Sequence, residues 1–171
     1  MLHFLAMTWR REQGFTLLEL LVGIGIIAFL LLMVMPSIQV ALLDTKIRAS
    51  AQAYYDGAQQ ARSEALRRNT DVTITLDDAK QGWSIAIGDD PIAVKAPESA
   101  FKLTVTATTK DVTFNGLGNA SAANTVKFMP GAASQCLASG PQRCLQVQVS
   151  QGGQVRLCDP SITTDGDNRK C

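Results

Sequence analysis

One carboxylate, Glu19, lies inside an apolar run. Residues 20–35 carry no polar side chain, and between Phe15 and Pro36 only Thr16 and Glu19 are polar. As a helix, residues 15–35 would extend roughly 30 Å at about 1.5 Å per residue, the depth of a hydrocarbon core. An ionised group in that medium costs on the order of a few kcal/mol, so Glu19 is expected to be paired and to serve a purpose. The other reactive side chains are four cysteines, Cys136, Cys144, Cys158 and Cys171. None of their spacings is a C-x-x-C pattern, and the single histidine, His3, lies far from them. An even number in an exported domain favours disulfides over metal. Of the three pairings, Cys136 with Cys144 and Cys158 with Cys171 is preferred, because each closes a short loop and the second ties down a polar tail. The rival pairs Cys144 with Cys158 across a hairpin turning at Gln151 and Gly152.

Catalysis is not expected. His3 would leave with any N-terminal leader, removing histidine-dependent nucleophiles and most zinc or copper sites. The acid pairs Asp77-Asp78 and Asp89-Asp90 fall at turns, where such residues serve local hydrogen bonding. Adjacent acids in a strand would also point to opposite faces. No cofactor or metal is expected. The formal charge is +1, and taking Arg10, Arg11 and Glu12 from 16 basic and 15 acidic residues leaves 14 of each. A neutral chain gives no bulk argument for nucleic acid.

The residues that must position Glu19 begin before it. A secretory signal is cleaved after its apolar run, at small residues. Here the run is followed by Val34-Met35-Pro36-Ser37-Ile38 and a helical pattern, while the small residue, Gly14, precedes it. The motif Gly14-Phe15-Thr16-Leu17-Leu18-Glu19 resembles the type III signal of type IV pilins and pseudopilins. That resemblance implies cleavage between Gly14 and Phe15 by a prepilin peptidase and N-methylation of Phe15. It also implies that Glu19 meets the N-terminal ammonium of a neighbouring subunit during assembly. Met7 is an alternative start to Met1. Arg10 and Arg11 on one flank balance Lys46 and Arg48 on the other, so charge does not set the topology. The leader and the cysteines place the C-terminal part outside the cytoplasm.

Beyond Pro36 the periodicity continues. Val40, Leu43, Ile47, Ala51, Tyr54, Ala58, Ala61 and Ala65 step by three or four residues, one apolar helical stripe. Asp44, Lys46, Arg48, Gln52, Gln59 and Arg62 mark the opposite face. Arg67, Arg68 and Asn69 read as the helix end, and Pro36 is expected to kink the helix. Such a rod is too long for this chain to bury, so half of it must enter a membrane or other subunits.

From Asp71 the period falls to two. Seven short strands are expected: 72–76, 83–87, 101–106, 112–114, 125–128, 145–149 and 154–157. Turn signals separate them at Asp77-Asp78, at Gly88 to Pro91, and at Asn115-Gly116, Pro130-Gly131 and Gly152-Gly153. Residues 96–100 and 119–124 read as loops, and Trp83 as core. The fold class is α+β: a long N-terminal helix packed on a C-terminal antiparallel, sandwich-like β domain. The expected partition is a leader over 1–14, a transmembrane or filament-core helix over 15–39, its amphipathic continuation over 40–69, and a disulfide-bonded periplasmic β domain over 70–171.

Three further patches extend the resemblance. Gly82-Trp83-Ser84-Ile85, residues 112–118 (VTFNGLG) and residues 147–160 (VQVSQGGQVRLCDP) are similar to minor pilins of the FimU/FimT group, which is grouped with the type II secretion pseudopilin GspH. The resemblance implies an inner-membrane protein with one span, later assembled into a filament with major and minor pilins, near the tip where assembly is initiated. Two other outcomes stay open. One is a pseudopilin of type II secretion. The other is a FimT-like DNA-binding subunit, whose group carries a G-R-x-R patch. Here the matching residues are Gly153-Gln154-Val155-Arg156, lacking the first arginine, and DNA contact would fall to Arg143, Arg156, Arg169 and Lys170. Asp159, Asp165 and Asp167 lie among these cations, and phosphate binding needs uncompensated charge, so DNA is not favoured.

Overall fold

Alanines at 51, 58, 61 and 65 of the second helical stretch let a sheet approach closely, and the chain uses that property to build its core. The computed structural model describes residues 15–77, 82–96, 103–131, 136 and 143–171. The leader, including Gly14, lies outside the described residues, as do Asp78, residues 97–100 of one expected loop and residues 101–102 of one expected strand. Among the described residues there is one helix, α1 (Leu17–Arg68), followed by eight strands. The strands are β1 (Val72–Leu76), β2 (Trp83–Ile87), β3 (Asp90–Lys95), β4 (Leu103–Ala107), β5 (Asp111–Phe114), β6 (Asn124–Pro130), β7 (Leu145–Val149) and β8 (Val155–Cys158).

The chain divides into two compact units, residues 1–38 and residues 39–171. In the first, the described side chains of α1 are exposed almost throughout, with Phe15 85 % and Leu32 74 % accessible. The helical assignment runs through Pro36 without interruption, so proline does not end α1. Among the described residues no helix is long and apolar enough to cross a membrane.

In the second unit Ile47, Ala51, Tyr54, Ala58, Ala61 and Ala65 are fully buried. They form one cluster with alternate residues of both sheets, such as Val72, Ile74, Ile85, Val112 and Phe114 of one and Val126, Phe128 and Val147 of the other. Tyr54 tilts its ring at 50° to Phe128, with centroids 6.2 Å apart. The first sheet has the order β3-β2-β1-β5 and the second β4-β6-β7-β8, with every pair of neighbouring strands antiparallel. Trp83 covers the helix at Gly57, where a Cβ would come within 2.8 Å of the indole. Only glycine admits that ring.

The eighth strand, β3, is an addition to the seven expected from sequence. Gly88-Asp89 alone forms the turn, and Asp90 and Pro91 already belong to the strand. Gly88 has φ +57 and Asp89 is not left-handed, the signature of a two-residue type II′ hairpin. Pro91 is tolerated because β3 is an edge, where a missing N–H breaks no ladder, and the register shifts beside it between Ile85 and Ala86.

The helix ends as its sequence indicated. Asn69 takes φ 50, and Thr70 N–H donates to the Ala65 carbonyl at 3.3 Å, the six-to-one bond of a Schellman cap. Arg67 and Arg68 both reach Glu64, at 2.6 and 2.8 Å. The two guanidiniums lower the Glu64 pKa by hydrogen bonding.

Candidate functional site

Thr16 fixes where α1 begins. Its carbonyl accepts the first helical bond, from Leu20 N–H at 3.1 Å, and its hydroxyl accepts from Glu19 N–H at 3.2 Å. Thr16 is therefore the N-cap and Glu19 the third helical residue, the spacing of a capping box. The T-x-x-E pattern is present in the sequence, and it gives Thr16 a capping role beyond its place in the Gly14 to Glu19 motif. Phe15 and Glu19 are both exposed and four positions apart, Phe15 just ahead of the N-cap and Glu19 in the first helical turn. An α-amine at Phe15 would sit at the positive end of the helix dipole, unfavourable alone and relieved by a nearby carboxylate.

A second cluster lies where the glycine-rich patches converge. Arg62, assigned by periodicity to the polar face, is half-buried and donates its Nε–H to the Gly118 carbonyl at 3.0 Å. Gly118 (φ +79) and Gly153 (φ +73) both take the left-handed region, and a Cβ on Gly153 would collide with the Gly118 carbonyl oxygen. Ala120 N–H donates to the Gln151 carbonyl at 3.0 Å, joining the same two loops. Gly116 meets Asn69 at the helix end, where an added Cβ would lie 2.6 Å from its Oδ1. Two of the three sequence patches thus seat on the last turns of α1. Periodicity placed Arg62 by face and could not show that a loop carbonyl would come to it.

The four cysteines form Cys136–Cys144 and Cys158–Cys171, with Cα separations of 5.2 and 5.1 Å. The rival pair fails on register, since Cys158 stands opposite Gln146, two residues from Cys144. That leaves the two on a diagonal of about 7–8 Å in such a ladder, too far for a bridge without movement. The second disulfide draws the tail back along β8. Asp159 and Lys170 form a parallel bridge, and Asp159 N–H donates to the Arg169 carbonyl at 2.7 Å.

The four cations considered for DNA do not make a free basic patch. Arg156 spends its Nη2 on the carbonyls of Lys170 (2.6 Å) and Asn168 (3.2 Å). Arg169 grips both oxygens of Asp167, at 3.1 and 2.7 Å, and Lys170 pairs with Asp165. Hydrogen bonds from Arg169 lower the Asp167 carboxyl to about 2, and Asp167 in turn raises the Arg169 pKa. Arg143 lines a cleft with Arg169 and Asp159. Among the described residues no group of His, Cys, Asp or Glu is arranged to hold a metal ion.

A capped apolar helix carrying one early carboxylate, followed by an alanine-faced half packed on two antiparallel sheets, defines the class: a type IV pilin-like subunit, minor pilin or pseudopilin. The family model described as Type II transport protein GspH matches residues 50–153, and the chain belongs to that family. A model described as the prokaryotic N-terminal methylation motif matches residues 9–35. Among solved structures the chain is similar to the type IV minor pilin FimU of Pseudomonas aeruginosa. They share 20 % identity over 71 % of this chain and 94 % of that one, with a TM-score of 0.58. It is also similar to the minor pseudopilin EpsH from the type 2 secretion system of Vibrio cholerae. The identity there is 14 % over 68 % of this chain and 99 % of that one, with a TM-score of 0.52. At these identities the likeness is one of fold. No curated protein matches the sequence.

Proposed function

We propose that this chain is a minor pilin that takes part in type IV pilus assembly, priming the filament near its tip. The observation that carries the proposal is the exposed apolar surface of α1 from Phe15 to Met35, interrupted by one carboxylate four positions after the first mature residue. An unpartnered apolar surface of that extent requires lipid or other subunits to cover it. In this reading the leader, residues 1–14, is removed between Gly14 and Phe15 by the prepilin peptidase, and Phe15 is N-methylated. Residues 15–39 anchor the chain in the inner membrane as a single span and then enter the filament core. Pro36, which lacks a donor for the carbonyl a turn earlier, is the bend point. Residues 40–69 and 70–171 form the periplasmic part, which meets other major and minor pilins. Glu19 pairs with a neighbouring α-amine as the subunit docks, a pairing made strong by the low dielectric.

The second reading is a pseudopilin of type II secretion, and the description of the matching family and the likeness to EpsH favour it. A DNA-binding role is the weaker alternative, because Arg156, Arg169 and Lys170 are already engaged by the tail. Deletion of the gene separates the machines. Loss of surface pili and twitching with secretion intact is expected for the pilus. Loss of protein secretion alone would shift the assignment to type II secretion, and loss of DNA uptake alone to DNA capture.

A further inference from the structure

A cleft of about 400 Å³ is lined by Arg62, Ser63 and Leu66 from the last turns of α1 and by Gln154 and Arg156 around the start of β8. Its lining holds two guanidiniums and no acidic residue. Both guanidiniums are held in place by carbonyl oxygens. Arg62 is half-buried and gives its Nε–H to the Gly118 carbonyl at 3.0 Å. Arg156 gives Nη2 to the carbonyls of Lys170 and Asn168, at 2.6 and 3.2 Å. A carbonyl orients a guanidinium without neutralising it, and each arginine keeps further N–H donors beyond those bonds. Arg48, Arg67, Arg68 and Arg169 differ, since each holds a carboxylate of this chain. Among the described residues neither Arg62 nor Arg156 forms an ion pair.

Two leucines accompany these charges. Leu66 lines the cleft and is 49 % exposed, and Leu117, next to Gly118, is 77 % exposed. A Cβ on Gly118 would lie 3.1 Å from the Leu66 side chain, so the loop carrying Leu117 lies against Leu66. A nucleic-acid backbone calls for a longer track of cations, with aromatic platforms for its bases, and leaves leucines uncovered. An acidic side chain with an apolar neighbour answers both features. A guanidinium already oriented by its own chain loses little freedom in receiving it.

We propose that this cleft receives an aspartate or glutamate side chain from the globular part of a neighbouring filament subunit, held by Arg62 and Arg156, with an apolar residue beside it covering Leu66 and Leu117. The proposal rests on the filament-subunit reading, and its test tells the two apart. The full chain is expressed in cells that assemble the filament, with a photo-crosslinking p-benzoylphenylalanine at Ser63, an exposed residue of the cleft, or separately at Leu30. The Ser63 reporter is expected to give an adduct that mass spectrometry maps to a segment of another subunit carrying Asp or Glu. Arg156→Glu should lower that yield about tenfold, and lysine in place of the captured acid should restore it. Leu117→Ser, at an exposed position, should lower it severalfold, and it decides the matter if Arg156→Glu also loses the Leu30 adduct. An adduct on nucleic acid, on this chain alone or on a segment without acids would overturn the proposal. So would a Ser63 yield unchanged by Arg156→Glu, or no recovery on charge exchange. Adducts at Leu30 without any at Ser63 would overturn it while leaving the filament reading intact. Failure of both reporters would overturn both.

Discussion

The two stretches of α1 face opposite problems with the same backbone. Up to Met35 most of the described side chains are large, apolar and exposed, Thr16, Glu19, Ala28 and two glycines apart. From Ile47 four of the six fully buried apolar side chains that face inward are alanine, at 51, 58, 61 and 65, beside Ile47 and Tyr54, and polar residues take the other face. In the proposed reading the first stretch is buried by lipid or by other subunits. The second buries itself. Alanine at most inward positions of the second stretch lets a backbone come close, while Ile47 and Tyr54 fill the space that remains.

That contrast can be broken at either end. Glu19→Ala is expected to give the largest functional effect: peptidase cleavage and membrane insertion are spared, while incorporation falls severely, read by immunoblot of sheared filaments. The contrast fails if mutant and wild type incorporate equally. Gly153→Ala should be the most damaging change to the folded unit. It forces a Cβ into the Gly118 carbonyl at a φ of +73, and strained positions of this kind are worth about 1–3 kcal/mol before the clash is added. Thermal melting of the full chain in detergent would measure it. Ala61→Leu on the buried stripe is expected to cost about 1–3 kcal/mol by overpacking, whereas Leu30→Ala in the exposed stretch should leave the melting temperature of the same preparation unchanged.

Cys171→Ser removes the tail's tether and is expected to cost about 2–4 kcal/mol for a loop of this length, with proteolysis of residues 159–171 as a sensitive readout. The smallest effect concerns pH. Asp167 is lowered in the folded chain from an ordinary 3.8 to about 2 by its bonds from Arg169. Its contribution is therefore complete above pH 3.8 and is lost as pH falls through 2. Loosening of the tail should be confined to that acid window, as amide proton exchange of residues 165–170 would show.

Much of this was legible beforehand because it follows from local periodicity. The alanine stripe, the Asn69 cap and most strands are written in spacings of 3.6 and 2. Glu19 stood out because a charge in an apolar run violates its surroundings. The features that escaped are those that depend on register or on distant chain. β3 was hidden by Asp90 and Pro91, residues that suit a turn in isolation and become acceptable only at a sheet edge. Arg62 belongs to the polar face by spacing, yet the Gly118 carbonyl reaches it from a loop 56 residues away. Asp159 carried no signal, since its burial is created by the returning tail and the Cys158–Cys171 bond.

The central claim is that Glu19 is kept for a partner amine that exists only after the leader has been removed. Mass spectrometry of the protein recovered from assembled filaments tests it most directly. A chain beginning at N-methylated Phe15 is predicted, and a functional filament whose subunits still carry residues 1–14 would contradict the account.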